Sequence, residues 1–390
     1  MLPTLLQLVA PAGAGPQTPS TPVVRLAAAI YLKNRIRSSW KPLPSDPSSS
    51  SLLQPATRTT SQPSVPIPPS DRQSLKTNLI PLYAALSADS VENSAKVKEQ
   101  VGEALAKVIE CEFPHEWPNL IQEIQGMLGT SYQAGDGNGN VEAGLRATAE
   151  VFNTMRYAAR DETGEILVNL ATHLLPLLLP LANQILSPSS APSTPQALAH
   201  QGTLLRLILK SYKNSIIHTL TPAHQAHEAI VPWGTLLLQI VSHPLDPSLL
   251  PSPLDDPDLL EKHPWSRTKK WACWSLNRLF TRYGCPTSLP KNLVKQYGPF
   301  AERFVAQFAP EILKTYLAAV EKMVRGEWFP KKGKYHILCF FEEWCVPAFM
   351  APFFGGPLYV ARTPMELTDL PSEFPAAPHA ASTRNRCLRS

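Results

Sequence analysis

The amino-acid sequence predicts an all-α fold in which paired helices stack in a row. Apolar residues recur at intervals of three and four through most of the 390-residue chain, which is typical of helices with one buried face. No useful length of sequence alternates with the period of two that indicates β-strands. Helices of roughly 15 to 22 residues pair with a period of about forty, the period of HEAT repeats. We therefore predict a HEAT-repeat (ARM-like) α-solenoid superhelix, in which pairs stack because none buries its apolar face alone.

The first clear helix start is at Thr21. Threonine favours the N-cap position, and Pro22 suits the first helical position. Residues 2–10 are expected to be the tail of an earlier helix. The apolar residues at helical spacing after Thr21, which we expect to be buried, are Val24, Ala27, Ala28 and Tyr31.

The helices are interrupted from Lys41 to Ser70, where thirty residues include eight Pro and eight Ser. Such a composition cannot bury enough apolar surface to form a packed element, so we predict a disordered insert. Helices resume near Ser70 and near Val91. Their predicted buried stripes are Leu75, Leu79, Leu82, Tyr83 and Leu86 in the first, and Val97, Val101, Ala104, Leu105 and Val108 in the second.

The sequence CEFPHEWP follows the second of these helices. Pro114 ends the helix because proline lacks the backbone donor that a helix interior needs. Phe113 and Trp117 are spaced to pack back against the helix. Pro118 is expected to open the next helix.

Later helices are expected at about 141–159, 162–186, 195–218, 222–242 and 264–283, with two more across 292–326. Gly284 is a predicted left-handed helix stop, because glycine has no Cβ to clash in that conformation. Residues 166–186 carry no charge and are long enough to cross a bilayer. Their polar residues and the lack of flanking positive charge instead favour a helix packed between neighbours, kinked or split at Pro176 and Pro180.

The sequence contains no nucleophile elbow, phosphate-binding loop, zinc-protease helix, kinase signature or dinucleotide fingerprint. Residues 135–140, GDGNGN, resemble part of a calcium loop but lack its further carboxylates. His224 and His227 are expected to face solvent rather than to bind metal. Six widely spaced Cys indicate a reducing compartment. We therefore predict a binding protein and not an enzyme, with no cofactor and no metal site.

Positive charge is concentrated between Glu261 and Lys334. Fifteen Lys or Arg face five Glu in this segment, although the whole chain carries only +5. A solvated face of basic helices explains such a surplus. The alternative is a surface for nucleic acid or for an acidic partner.

Four segments, in this order, resemble the importin-beta-type nuclear transport receptors, or karyopherins. The first, RLAAAIYLKNRIRSSW, spans residues 25–40 and includes Arg25, Leu32 and Trp40. The second, SDRQSLKTNLIPLY, spans residues 70–83 and resembles the start of the family's second repeat. The third is VGEALAKVIECEFPHEWPNLI, with the signature residues Phe113, Pro114, Trp117 and Pro118.

The fourth segment, WSRTKKWACWSLNRLFTRYGCP, resembles the importin seven and eight branch of that family. Its signature residues are Lys270, Trp271, Tyr283 and Gly284. The resemblance covers about the first third of such a receptor. It implies a truncated first repeat, with the family's first helix lying ahead of Met1.

This resemblance implies a nuclear import receptor that binds the small GTPase Ran in its GTP form and carries cargo through the nuclear pore. The Ran contacts that it implies are Lys33, Asn34 and Arg35. Further implied partners are nucleoporins and basic cargo such as ribosomal proteins or histones, without direct nucleic-acid binding or membrane insertion. The implied location is the cytoplasm, the nucleus and the pore of the nuclear envelope. The alternatives are an exporter of the same superfamily and a truncated helical scaffold without transport activity.

The predicted organisation has five parts. They are a truncated first HEAT repeat at 1–40, a Pro/Ser-rich disordered insert at 41–70, the rest of the importin N-terminal region at 71–130, further HEAT-like repeats at 131–345 and an irregular, disordered tail at 346–390. Because the first repeat is predicted to be truncated, we expect the Ala-rich face of the helix at 25–40 to be partly exposed.

Overall fold

The structure, a computed structural model, describes residues 2–11, 21–40, 65–87, 89, 94–129, 132, 139–156, 164–251, 257–285 and 289–354. Within these ranges the chain forms fifteen α-helices and no β-strand, so the all-α prediction is confirmed. The helices are α1 Leu2–Val9, α2 Pro22–Ser39, α3 Pro69–Ser87, α4 Ser94–Glu112, α5 Leu120–Leu128, α6 Gly139–Met155, α7 Gly164–Leu186, α8 Pro195–Ser215, α9 Pro222–Gln225, α10 His227–Ser242, α11 Pro257–Lys262, α12 Pro264–Arg278, α13 Lys291–Gln307, α14 Ala309–Val324 and α15 Lys331–Phe354. A π-helical turn, Leu279–Gly284, continues α12.

The chain divides into two compact units, residues 1–341 and 342–390. In the first unit, α2, α4, α6, α8 and α12 stack side by side and form row B. Row A, alongside it, contains α1, α3, α5, α7, α10 and α14. The two rows pair α1 with α2, α3 with α4, α5 with α6, α7 with α8 and α10 with α12. This stacked pairing is the predicted HEAT-type solenoid.

The second unit is described only from 342 to 354, where the chain is the last part of α15. Residues 346–354 are therefore helical where the sequence predicted an irregular segment. The rest of the predicted tail, 355–390, lies outside the described residues.

Helix α2 begins as predicted, with Thr21 as N-cap, Pro22 as first residue and the Val24 N–H donated to Thr21 Oγ1 at 3.4 Å. Its buried face differs from the predicted one. Val24 and Tyr31 are 45% and 49% exposed, and Ala27 is exposed as well. The buried residues are Arg25, Ala28, Ala29, Leu32, Ile36 and Ser39. Because α1 and α4 pack against α2, its Ala-rich face is covered except at Ala27.

The predicted insert is packed at its C-terminal end. Ile67 is buried and donates its backbone N–H to the Ser39 carbonyl at 3.3 Å, and α3 begins at Pro69. The chain thus returns at Ile67 to the end of α2. The rest of the insert, 41–64, lies outside the described residues.

The corner after α4 holds the aromatic pair of the CEFPHEWP sequence. Phe113 and Trp117 are buried as predicted, and the Trp117 N–H donates to the Glu112 carbonyl at 3.1 Å. Helix α5 begins at Leu120. Pro118 therefore precedes the helix and does not open it, which corrects the prediction.

Helix α7 is one continuous helix with Pro176 and Pro180 inside it, so it is not split there, and the alternative of a kink stays a prediction. Among the described helices it alone is long and apolar enough to cross a membrane by length and composition. It packs against α5, α6, α8 and α10. Its buried residues are Leu167, Leu170, Ala171, Leu174, Leu175, Leu178, Leu181, Ala182 and Ile185. The prolines and the polar residues of α7 lie on its exposed side.

Gly284 does not form the predicted left-handed stop. Among the described residues the glycine with positive φ is Gly326, at 85°, whereas Gly284 ends the π-helical turn. A Cβ added at Gly284 would lie 2.5 Å from Phe304 Cδ1 on α13. Glycine is required here because α13 packs so closely against the turn.

Candidate interaction surface

The three residues predicted to contact Ran lie on different sides of α2. Lys33 Nζ lies 3.4 Å from Glu103 Oε2 on α4, whereas Asn34 is exposed to solvent. Arg35 Nη1 donates to Ser39 Oγ at 2.7 Å, one turn along the same helix. Consecutive helical residues are rotated by about 100° around the axis, so the structure does not bring the three side chains to one point.

Sequence reasoning missed two residues that complete a polar edge with Lys33. Arg37 Nη1 lies 3.8 Å from the same Glu103 carboxylate, and Arg37 is 61% exposed. Lys33, Arg37 and Glu103 thus form the α2–α4 edge, next to the exposed Asn34. The spacing of Lys33 and Arg37 signals a shared helix face. No local sequence signal assigns Glu103 to them.

Two other residues of the first signature segment hold α2 in place. The buried Arg25 pairs with Asp89 at 2.5 Å and donates from Nε to the Val9 carbonyl at 3.3 Å. The charge of Arg25 is therefore satisfied inside the fold. Leu32 is fully buried. The buried side chains of both residues fix the position of α2 and, with it, the position of the α2–α4 edge.

A single carboxylate joins three helices at the end of α2. The fully buried Trp40 donates from Nε1 to Glu112 Oε1 at 2.7 Å. Lys76 on α3 lies 3.2 Å from Glu112 Oε2 and also donates to the Glu116 carbonyl at 2.9 Å. The aromatic residue of the first signature segment is thus held by the acidic residue that precedes Phe113.

Ion pairs also cross the next two seams of row B. Lys98 on α4 lies 2.9 Å from Glu142 on α6. Lys210 on α8 lies 2.9 Å from Glu150 on α6, and Glu150 also forms an ion pair with Arg146 at 3.2 Å. Burial lowers the pKa of Lys210, and the Glu150 carboxylate opposes that shift. Each of these seams therefore matches buried acids to cations from the adjacent helix.

The seam between α8 and α12 has a different composition. Two signature residues lie here, with Lys270 Nζ 4.0 Å from the centre of the Trp271 ring. Lys213 Nζ from α8 lies 4.3 Å from the same ring and 5.4 Å from the Trp274 ring. Ammonium groups at such distances interact favourably with an indole face. Sequence reasoning missed Lys213. The signal that could have found it is the absence of Asp and Glu from both α8 and α12, which leaves the lysines of these helices without an acid on either helix.

The remaining signature residues have structural roles. Tyr283 is buried and donates from its hydroxyl to the Ile216 carbonyl at 2.9 Å, which joins the π-helical turn to the end of α8. Gly284 makes room for Phe304 as described above. These residues hold the turn after α12 against its neighbours.

The prediction that His224 faces solvent is wrong, whereas His227 is exposed. His224 is buried, with Nε2 2.8 Å from Ser215 Oγ and Nδ1 2.6 Å from Thr221 Oγ1. Burial lowers its pKa to about 3. The Ser–His pair is enclosed and links α8 to α9. Within the described ranges no group of three or more His, Cys, Asp or Glu is arranged to hold a metal ion.

Residues 17–85 match the family described as the Importin-beta N-terminal domain. Over 325 residues the chain is 28% identical to Nonsense-mediated mRNA decay protein 5 of Saccharomyces cerevisiae. This alignment covers 83% of this chain and 28% of the length of the yeast protein. Over 307 residues it is 25% identical to Importin-8 of Mus musculus, covering 78% of this chain and 26% of that protein. These matches support membership of the importin-beta superfamily.

A solved structure supports the helical fold. The exportin Cse1 in its cargo-free, cytoplasmic state superposes with a TM-score of 0.55 at 16% identity, over 87% of this chain and 30% of that one. The alignments to the two curated relatives given above span little more than a quarter of the length of those proteins. The family match includes α2 and most of α3, so Lys33, Asn34 and Arg35 lie inside it.

Proposed function

We propose that this importin-beta superfamily chain acts in a nuclear import receptor that binds Ran in its GTP form. The observation that carries the proposal is the α2–α4 edge, whose α2 residues lie inside the matched Importin-beta N-terminal domain. Arg25, Leu32 and Trp40 are buried and hold α2, which leaves Lys33 and Asn34 at the surface edge of the stack. The protein works by binding and needs no catalytic group or cofactor.

Binding to Ran loaded with a non-hydrolysable GTP analogue, and to Ran loaded with GDP, tests this proposal by biolayer interferometry. We expect binding to the GTP form only. Replacing Lys33→Ala together with Asn34→Ala should weaken that binding about tenfold, which corresponds to about 1.4 kcal/mol. Folding should be retained, because exposed or half-exposed ion pairs contribute about 1 kcal/mol or less.

Lys314→Ala on α14 is the matched control, since Lys314 is an exposed lysine outside the family match. Its affinity for Ran should equal that of the unmodified chain. Equal binding of both nucleotide forms would contradict the proposal. An unchanged affinity in the double variant would remove α2 from the contact.

We further propose that the receptor carries basic cargo such as ribosomal proteins or histones, contacts nucleoporins, and moves between cytoplasm and nucleus through the pore. Similarity to Importin-8 over 78% of the chain supports the import direction. In the import direction, Ran in its GTP form releases a histone bound to the chain. A rise in histone affinity on adding Ran would assign export instead, and binding to neither would assign a scaffold role.

A further inference from the structure

The seam between α8 and α12 concentrates positive charge without any acid of its own. The two helices carry seven Lys or Arg and no Asp or Glu. The cations are Arg206, Lys210, Lys213, Arg267, Lys269, Lys270 and Arg278. The seams before it in row B, by contrast, contain Glu103, Glu142 and Glu150.

Three of the seven cations have evident structural partners. Lys210 pairs with Glu150, and Arg278 donates to the Ile217 carbonyl. Lys269 is buried and donates to the Val241 and His243 carbonyls at 3.1 and 2.7 Å, which ties α12 to the end of α10. These contacts explain why the cations are present without invoking a ligand.

Lys213, Lys270 and Arg267 form no ion pair with an acidic residue in the described part of the chain. We name these three residues, with Trp271 and Trp274, the cationic seam. Lys213 and Lys270 are half-buried against the two rings, and Arg267 is exposed at the edge. The seam therefore presents positive charge that an incoming group can reach.

The positive charges of the cationic seam repel one another, and this repulsion lowers the pKa values of its lysines. Burial lowers the pKa of Lys213 to about 8, and the neighbouring Arg156, Lys270 and Lys210 add to the shift. Burial likewise lowers the pKa of Lys270 to about 8, with contributions from Lys332 and Arg267. Stability alone does not favour such an arrangement, since like charges close together oppose folding. An anion bound at the seam would relieve both effects.

The geometry of the rings distinguishes between anionic partners. Nucleic acids bind to basic and aromatic surfaces by stacking bases on the rings. The Trp271 ring is already contacted by two ammonium groups, from Lys213 and Lys270, so a stacking base would compete with them for the ring. A carboxylate reaches the same ammonium groups without displacing them, and the indole edges can contact an adjacent apolar side chain.

We propose that the cationic seam of row B binds an acidic segment of a partner protein, in which several carboxylates lie beside an apolar side chain. This site is separate from the α2–α4 edge and does not depend on Ran binding. Its charge is also opposite to what basic cargo would require. It would therefore give the chain a second class of protein partner.

Fluorescence anisotropy with a fluorescein-labelled peptide, Glu-Glu-Leu-Glu-Glu-Leu-Glu-Glu, tests the site on the full chain. We expect saturable binding that weakens as salt is raised, because salt screens the charges. Replacing Lys213→Gln together with Lys270→Gln should weaken binding at least tenfold. The variant Lys291→Gln with Lys295→Gln is the control, since it removes two exposed lysines from α13 and should change the affinity less than twofold.

Three results would overturn the proposal. The first is binding of the Gln-for-Glu peptide as tightly as the acidic one. The second is an equal loss in the α13 control, which would indicate net charge alone. The third is tighter binding of a labelled eight-nucleotide oligoadenylate, which would assign the seam to nucleic acid.

Melting temperature separates a ligand site from a structural one. Without peptide, Lys213→Gln with Lys270→Gln should melt at the same temperature as the unmodified chain or higher, because repulsion is removed. Saturating peptide should raise the melting temperature of the unmodified chain and not that of the variant. Arg267→Gln, at the exposed edge, gives a milder variant that should weaken the peptide several-fold. A lower melting temperature in both variants, with unchanged peptide affinity, would mean that the seam serves packing only.

Discussion

Replacing Glu112 by Ala removes the carboxylate that joins α4 to α2 and α3. In the native chain this carboxylate accepts the Trp40 Nε1 hydrogen bond at 2.7 Å and lies 3.2 Å from Lys76 Nζ. Trp40 is fully buried and cannot turn to water, so its N–H would be left without an acceptor. Lys76 would lose its ion pair with Glu112 but keep its hydrogen bond to the Glu116 carbonyl, so its loss of stabilising contacts is smaller than that of Trp40.

The expected cost follows from these two contacts. An unsatisfied buried donor costs about 1–3 kcal/mol. The partly exposed pair with Lys76 contributes about 1 kcal/mol. We therefore expect Glu112→Ala to lower the free energy of unfolding by about 3 kcal/mol. Glu112→Gln retains an acceptor for Trp40 and should cost about 1 kcal/mol.

Urea unfolding followed by far-ultraviolet circular dichroism measures the effect. Glu110→Ala is the matched control, because Glu110 lies on the same helix and, among the described residues, pairs with the nearby Lys107 on an exposed face, at 3.1 Å. Its expected cost is below about 0.5 kcal/mol. If Glu112→Ala were no worse than Glu110→Ala, or if Gln were as damaging as Ala, the assigned role of the Trp40 bond would be refuted.

Two further predictions concern buried positions. The pKa of His224 is lowered to about 3, so the unfolded chain binds the proton more tightly than the folded chain. The stability that His224 contributes is therefore present above pH 6.5 and is lost as the pH falls towards 3. The melting temperature should drop over that window, less steeply in His224→Gln, and identical slopes in the two proteins would contradict this. Gly284→Ala should destabilise the chain by about 1–3 kcal/mol through its clash with Phe304. Gly126→Ala, where an added Cβ would meet nothing within 4 Å, should instead stabilise α5 by about 0.5–1 kcal/mol. Thermal unfolding of both variants measures the difference, and equal effects would refute the packing argument.

Features decided by neighbouring residues in the sequence were predictable. Thr21 caps α2 because its side chain and the following proline act within one turn. Phe113 and Trp117 are buried at the corner where the chain turns after α4. The pairing of helices also followed, since a repeated apolar stripe has to be covered by the next repeat.

Features decided by distant residues were not predictable from local patterns. Helix α2 has apolar residues on two sides, so only the positions of α1 and α4 determine that Ala28 and Ala29 are buried and Tyr31 is exposed. The buried state of His224 depends on Ser215 from the preceding helix. The requirement for glycine at position 284 comes from α13.

The candidate surfaces show the same limit. Lys33 was identified through a resemblance, but its pairing with Glu103 spans two helices and required the fold. Local charge counting found the basic segment but not its arrangement. Lys213 lies well before that segment and joins it only because α8 packs against α12.

The hydrogen bond from Ile67 to Ser39 has a consequence for chain length. It brings the two ends of the connection between α2 and α3 to one place, and both ends are anchored by buried side chains, Trp40 and Ile67. The entropic cost of closing such a connection grows only with the logarithm of its length, so each doubling adds about 0.6 kcal/mol. Insertions between residues 41 and 64 should therefore leave the helical stack intact. This interval offers an internal position for a reporter domain that leaves both termini of the chain unaltered.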